Sequence, residues 1–314
     1  MSMRRLTTTL LLILGLAVAV PSGASAASFG ISDQQASTFA NPLYKPLKLR
    51  LARYVAPWDV TSDAKQRQRM TDWYRGAIRA KQRMLVSFEH SRTDGREQKL
   101  PTKAQFTRSM KAFKKAYPRV REINTWNEVN RCQVGKRTEG QPRGLCKGAK
   151  GARRLNVYYG VTRSVFKGAK IIALNVLDEN NPAPAIRYIR EFKKVAKVRP
   201  KIWGIHNYSD TNRFSQTRTK RIIAAIGGKP EIWLLETGGQ LKLGTRSFGE
   251  AKAAKALKCM FRIAKNPRIK RAYIYQFNGA AADATFDAGL IGPDGTTKRA
   301  GYGVVQKRTS KGGC

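Results

Sequence analysis

Short apolar runs rich in β-branched residues alternate along this chain with longer stretches whose apolar positions recur every three or four residues. The runs are residues 29–32 (FGIS), 48–56 (KLRLARYVA), 83–90 (RMLVSFEH), 120–127 (VREINTWN), 169–177 (AKIIALNVL), 201–208 (KIWGIHNY), 231–237 (EIWLLET) and 270–277 (KRAYIYQF). Their length and composition predict eight strands. Helical patterns lie between them at 62–80, 102–116, 150–167, 183–196 and 247–265, with Lys and Arg on the polar faces. Strands alternating with helices imply parallel pairing through right-handed crossovers. Eight units spread over residues 27–314 fit a (β/α)8 barrel, typically ~250 residues long. An open doubly wound sheet is the alternative, but no G-x-G-x-x-G or Walker-type turn follows any run. No linker or low-complexity stretch divides the chain, so a single domain is expected.

The first residues depart from this alternation. Arg4 and Arg5 precede an apolar run from Leu10 to Val20, and Ala24 and Ala26 follow in an A-x-A pattern, which predicts a cleaved secretory signal peptide at residues 1–26. The run is shorter than the ~20 residues a membrane span needs, and no later segment reaches that length. The expectation is an exported protein with no membrane span after cleavage, working outside the cell or in its envelope.

Composition changes the picture in one respect. A hydrophobic share of 41% supports a sizeable core, but 61 Lys and Arg against 20 Asp and Glu give a formal charge of +41. Loss of Arg4 and Arg5 with the leader leaves +39. The cations are spread over every helical segment without interleaved aromatics, so no specific nucleic-acid site is expected. The plain account is a basic exterior; the sharper one is attraction to an acidic glycan or an anionic envelope polymer.

Export permits disulfides among Cys132, Cys146, Cys259 and Cys314. Three pairings are possible; Cys132 with Cys146 and Cys259 with Cys314 are favoured, one closing a loop and the other tying down the tail. A zinc site is disfavoured because there is no C-x-x-C and only His90 and His206 could add imidazole. No metal and no organic cofactor are expected.

In a barrel of this kind chemistry is mounted where strands end. Strand four ends Thr125-Trp126-Asn127-Glu128-Val129-Asn130 and strand seven ends Leu234-Leu235-Glu236-Thr237-Gly238-Gly239, so each places a carboxylate on the same rim. A carboxylate pair is what glycosidic cleavage needs, one to protonate the leaving oxygen and one to attack or stabilise the oxocarbenium-like centre. A salt bridge to one of the many Arg side chains is the structural alternative for either Glu.

Asn-Glu ending strand four with Glu ending strand seven resembles glycoside hydrolase clan A, the 4/7 superfamily of retaining TIM-barrel enzymes, over essentially the whole mature chain. The resemblance implies Glu128 as general acid/base, Glu236 as nucleophile and Asn127 as partner of the sugar 2-hydroxyl. The acid must carry a proton, so burial and the like charge of Glu236 are expected to raise its pKa. His206-Asn207-Tyr208 is similar to the clan's His-x-Tyr, with Tyr208 orienting the nucleophile and His206 lining the sugar subsite; a satisfied histidine of the barrel interior is the alternative for His206. Arg53, before Pro57-Trp58, resembles its strand-two arginine, with Arg50 as a rival on the same strand. Trp58, Tyr275 and Phe277 sit near strand ends, where stacking on sugar rings and core packing explain each equally well, whereas Trp203 and Trp233 read as core. Glu89, His90, Asp178, Glu179 and Asn180 follow strand ends, with solvation as their default role. One departure concerns strand eight: the clan usually has a Trp at its end, and this chain has Tyr275-Gln276-Phe277.

The function implied is a secreted retaining glycosidase acting on a β-linked poly- or oligosaccharide. The alternatives are a non-catalytic barrel that binds carbohydrate or an envelope polymer, and non-specific binding of polyanions by the basic exterior.

Overall fold

All seven residues of Leu51–Pro57 and all five of Ile202–His206 are buried, as strands covered on both faces must be. In the computed structural model, which describes residues 27–132 and 140–309, runs of this kind wrap into a parallel barrel. Its strands are Ser28–Ser32, Leu51–Pro57, Arg83–Glu89, Glu122–Asn124, a divided fifth (Lys170–Ile172 and Asn175–Leu177), Ile202–His206, Glu231–Thr237 and Ile269–Ile274. The first pairs with the last. The two pieces of the fifth pair with the fourth and the sixth respectively, so the ring passes through one run interrupted at Ala173 and Leu174. The predicted (β/α)8 barrel is therefore the fold observed.

Alternation along each strand separates two cores. Outward positions such as Ala52, Tyr54, Val86, Phe88, Ile232 and Leu234 join the core beneath the helices. Leu51, Leu85, Ile172, Ile202, Trp233, Leu235 and Tyr273 form a second cluster filling the bore. Near the strand starts, buried Glu122 is ion-paired with Arg271 and Arg83. Trp203 and Trp233 are core residues, as expected.

Strand seven breaks the alternation, and the break decides where Glu236 points. Ile205 pairs with Leu234 while the next residue, His206, pairs with Glu236. On the other side Ala272 pairs with Leu234 while Ile274 pairs with Thr237. One extra residue thus sits in strand seven. Without this bulge Glu236 would share the helix-side face of Ile232 and Leu234; with it, the carboxylate turns into the barrel.

Some boundaries differ from the expected ones. Strand six stops at His206, and Tyr208 opens a short helix, Tyr208–Asn212. Strand eight stops at Ile274. An unpredicted antiparallel sheet of Lys242–Leu243, Arg246–Ser247 and Phe286–Asp287 flanks the mouth. The Cys132–Cys146 disulfide is formed, with Cα atoms 5.3 Å apart. Cys259 is a buried thiol; its expected partner Cys314 and the expected signal peptide lie outside the described residues. Among the described residues no helix is long and apolar enough to cross a membrane.

Candidate active site

Arg53 shares the inward face of strand two with Leu51 and has no solvent exposure. A guanidinium in such a place must spend its donors on neighbours, and it does. Nε donates to Ser87 Oγ (2.9 Å), Nη1 to Ser32 Oγ (3.0 Å) and to Glu236 Oε1 (2.5 Å), and Nη2 to Asn127 Oδ1 (2.8 Å). One side chain thereby ties strands one, two, three and seven to the turn after strand four. Arg50, the rival, is exposed.

Glu236 receives one further donor, with an imidazole nitrogen just beyond hydrogen-bond range. Tyr208 Oη lies 3.3 Å from Oε2 and His206 Nδ1 lies 3.6 Å from it. Burial, and then the Glu236 charge, push the Tyr208 phenol well above its ordinary range, so it meets the carboxylate as a hydroxyl donor. The expected cationic and hydroxyl partners of this carboxylate are both in place.

Glu128 sits just past strand four with φ of 40°, a left-handed conformation that a non-glycine residue holds only when its surroundings fix it. Its backbone N–H is held by Asn175 Oδ1. Its carboxyl accepts from His206 Nδ1 at 2.9 Å and from Arg131 Nη1 at 3.2 Å. Glu128 and Glu236 each keep about a tenth of their side chain exposed (10% and 11%), so both remain within reach from the mouth. A carboxyl oxygen of each, together with a ring nitrogen of His206, lies within a 4.8 Å span.

The expected rise in the Glu128 pKa is not what the site provides. Burial does raise it, but the His206 hydrogen bond, and then the Arg131 guanidinium, outweigh burial and hold the carboxyl below the ordinary range. The charge of Glu236, expected to add to that rise, is paired with Arg53.

His206, expected to line the sugar subsite, has no solvent exposure, and its ring nitrogens face Glu128 Oε1 and Asn175 Nδ2 (2.7 Å). It supports the carboxylates from below. Asn127 is positioned by Arg53 and Asn175 through Oδ1, which leaves Nδ2 toward Glu89 Oε2 at 3.5 Å.

Solvation fits the exposed Asn180 and the half-buried Glu179, but not Glu89, His90 or Asp178. Glu89 is buried, and its Oε1 accepts from both Nε (2.9 Å) and Nη2 (2.7 Å) of Arg92; burial raises its pKa, but Arg92 and His90 overcome that and lower it. His90 is buried as well. Trp58 is buried with its indole N–H unpaired, and the Arg96 guanidinium lies 5.9 Å from its ring centroid. Tyr275 is partly exposed beside Phe286 (5.8 Å), which also packs edge-on against Tyr208 (5.5 Å). Phe277, by contrast, is core. Asp33, which the sequence pattern did not single out, accepts the N–H groups of Phe277 and Asn278 and so holds the loop after strand eight.

Asp178 anchors the other side. Its carboxyl oxygens accept the backbone N–H groups of Ser209 (2.9 Å) and Asp210 (2.8 Å), the turn that presents Tyr208. Burial pushes its pKa up to about 7 against those two bonds. A folded-state pKa above the unfolded value gives stability that is complete below about pH 4 and lost as pH rises through about 7. The urea midpoint of the wild type is therefore expected to fall across that interval more than that of Asp178→Asn. Parallel midpoint curves would remove Asp178 from the pH dependence.

Among the described residues, Glu128, His206 and Glu236 also form a cluster with enough ligand atoms to hold a metal ion. Its donors are otherwise engaged: Arg53 already neutralises Glu236, and the His206 Nδ1 nearest both carboxyls meets Glu128 in a hydrogen bond.

No family profile and no curated protein sequence matches this chain. Its fold does match solved structures. A family 39 glycoside hydrolase from Bacteroides cellulosilyticus WH2 superposes with a TM-score of 0.60 at 14% identity, over 90% of this chain and 63% of that one. An exo-β-1,4-mannosidase from Opitutaceae bacterium strain TAV5 gives 0.62 at 14%, over 96% and 62%. A fungal β-1,4-galactanase gives 0.62 at 12%, over 90% and 100%. The chain spans less than two thirds of the first two and all of the third. At these identities the likeness establishes the barrel fold.

Proposed function

We propose that the protein is a retaining glycoside hydrolase acting on a β-linked poly- or oligosaccharide. The observation that carries this reading is the pair of reachable carboxyls, Glu128 and Glu236, with oxygens within 4.8 Å across one barrel mouth. Retaining enzymes hold their carboxyl groups about 5 to 5.5 Å apart, whereas inverting ones leave roughly 6.5 to 9.5 Å for a water. The structural neighbours, named as a mannosidase, galactanases and a glycoside hydrolase, support the same chemistry.

In this reading Glu236, aligned by Arg53 and Tyr208, attacks the anomeric carbon as the glycosidic C–O bond breaks. Glu128 gives its proton to the departing oxygen. Water, losing a proton to Glu128, then displaces Glu236 and releases the sugar. Asn127 offers its amide N–H to the 2-hydroxyl, and Tyr275 and Trp58 flank the ring. His206 acts on Glu128. With the leader at residues 1–26 the enzyme would be exported, and the basic helices would favour acidic glycans without being part of the chemistry.

The test is the stereochemistry of cleavage. Proton NMR during hydrolysis of β-linked xylan, mannan or galactan oligosaccharides is expected to show the β-hemiacetal first, before mutarotation. An α-product would overturn retention. Glycans that bind and stay intact through long incubation would favour the non-catalytic barrel.

A further inference from the structure

Asn175 belongs to no predicted site, yet it touches three of the residues placed there. It lies in the second piece of the fifth strand, inside an otherwise apolar run (IIALNVL, residues 171–177), and it has no solvent exposure. Its amide is fully used. Oδ1 accepts the Glu128 backbone N–H, while the two N–H bonds of Nδ2 go to Asn127 Oδ1 (2.9 Å) and to His206 Nε2 (2.7 Å). Space for this side chain exists because the adjacent inward position on strand six is Gly204. A Cβ there would meet Asn175 Cβ at 2.5 Å and Leu235 Cδ1 at 2.7 Å.

These contacts fix the orientation of the amide. A backbone N–H can only donate, so the atom facing Glu128 N is the oxygen, and the atom facing His206 is the NH2. The imidazole Nε2 must then accept, which places the ring proton on Nδ1, the atom 2.9 Å from Glu128 Oε1. The partner of one imidazole nitrogen sets the tautomer and so the role of the other.

We propose that Asn175 is a positioning residue that locks His206 in the Nδ1–H tautomer, so that His206 donates to Glu128 Oε1 and the acid proton of Glu128 is directed to Oε2, on the lone pair that Arg131 Nη1 (3.2 Å) does not take. In the opposite tautomer Nδ1 would accept, and an Oε1–H···Nδ1 hydrogen bond would draw the Glu128 proton away from a leaving group. The catalytic consequence rests on the glycosidase reading; the tautomer does not.

The test uses the full chain labelled with 15N-histidine. With two histidines in the sequence, His90→Gln assigns the remaining resonances to His206. Long-range 1H–15N correlation is expected to show a protonated Nδ1 and a bare Nε2 in the wild type. Asn175→Asp keeps the acceptor for Glu128 N–H and presents oxygen to Nε2, so the ring proton is expected on Nε2. Activity should fall about 10- to 100-fold in kcat with KM little changed, the scale of losing an outer partner that orients a histidine at a metal site. A wild-type ring carrying its proton on Nε2, or on both nitrogens, overturns the proposal even if the variant does not fold. An unchanged pattern in a folded Asn175→Asp overturns it too. The expected tautomer shift in a chain that cleaves no glycan supports the lock and removes the hydrolase reading instead.

Discussion

Glu236→Gln is expected to leave a folded barrel whose kcat on its glycan is lower by on the order of 10⁴-fold or more, the scale of loss when a nucleophile or its activating base is removed. The amide is nearly isosteric, and Arg53 retains its bonds to Ser32, Ser87 and Asn127. What disappears is the anionic oxygen that forms the bond to the anomeric carbon. Removing one partner of the buried Arg53–Glu236 pair also costs about 3 to 5 kcal/mol of stability, so activity is compared well below each protein's unfolding midpoint. Glu236→Ala opens space beside Arg53 for a small anion. Azide is expected to restore part of the turnover and to leave as a glycosyl azide of inverted configuration, because it attacks from the face that Glu236 vacated. Turnover unaltered in Glu236→Gln, or azide rescue with retained configuration, would remove Glu236 from the nucleophile's role.

Eight strands were legible because burial on both faces leaves a plain mark, a run of Ile, Leu and Val between polar helices. Counting them placed Glu128 after the fourth strand and Glu236 at the end of the seventh, as found. The direction of Glu236 was not legible. Strict alternation from Ile232 and Leu234 points it at the helices, and only the extra residue in strand seven, visible in its pairing with His206 and Thr237's with Ile274, turns it inward. The left-handed φ of Glu128 likewise leaves no mark, since the side chain that holds its N–H, Asn175, is distant in sequence.

Roles that depend on neighbours across the barrel were hidden for the same reason. The motif His206-Asn207-Tyr208 suggested a sugar-facing histidine and a tyrosine that orients the nucleophile. The histidine instead points under the carboxylates, and the tyrosine is delivered by a short helix that Asp178 anchors. The signal for Asn175 was present, a lone amide at a buried strand position, but its partners lie about thirty to fifty residues away in sequence. Charge was easier to read. Helices Lys103–Ala116 and Gly148–Val165 carry no acidic residue, while several of the chain's few carboxylates, among them Glu89, Glu128, Asp178 and Glu236, gather at the mouth.

Glu128→Gln should produce a loss that depends on the leaving group. Natural glycans, whose departing sugar oxygen needs a proton, are expected to lose about 10²- to 10⁴-fold, the range for general acid–base assistance. Aryl glycosides with acidic phenol leaving groups should keep a fast first step and stall at the glycosyl-enzyme, and azide should then release product with retained configuration. The wild-type pH profile follows from the same residue. The reactive free enzyme has Glu128 protonated, and His206 and Arg131 hold its pKa below the ordinary range. The protonated fraction falls as pH rises through that low value, so kcat/KM is expected to climb toward acid and to lack a neutral optimum. Arg131→Gln removes one of the two lowering contacts, so its alkaline limb should move to higher pH. In Glu128→Gln that limb should vanish. A limb that stays in place in Arg131→Gln and survives in Glu128→Gln would assign the acid to another group.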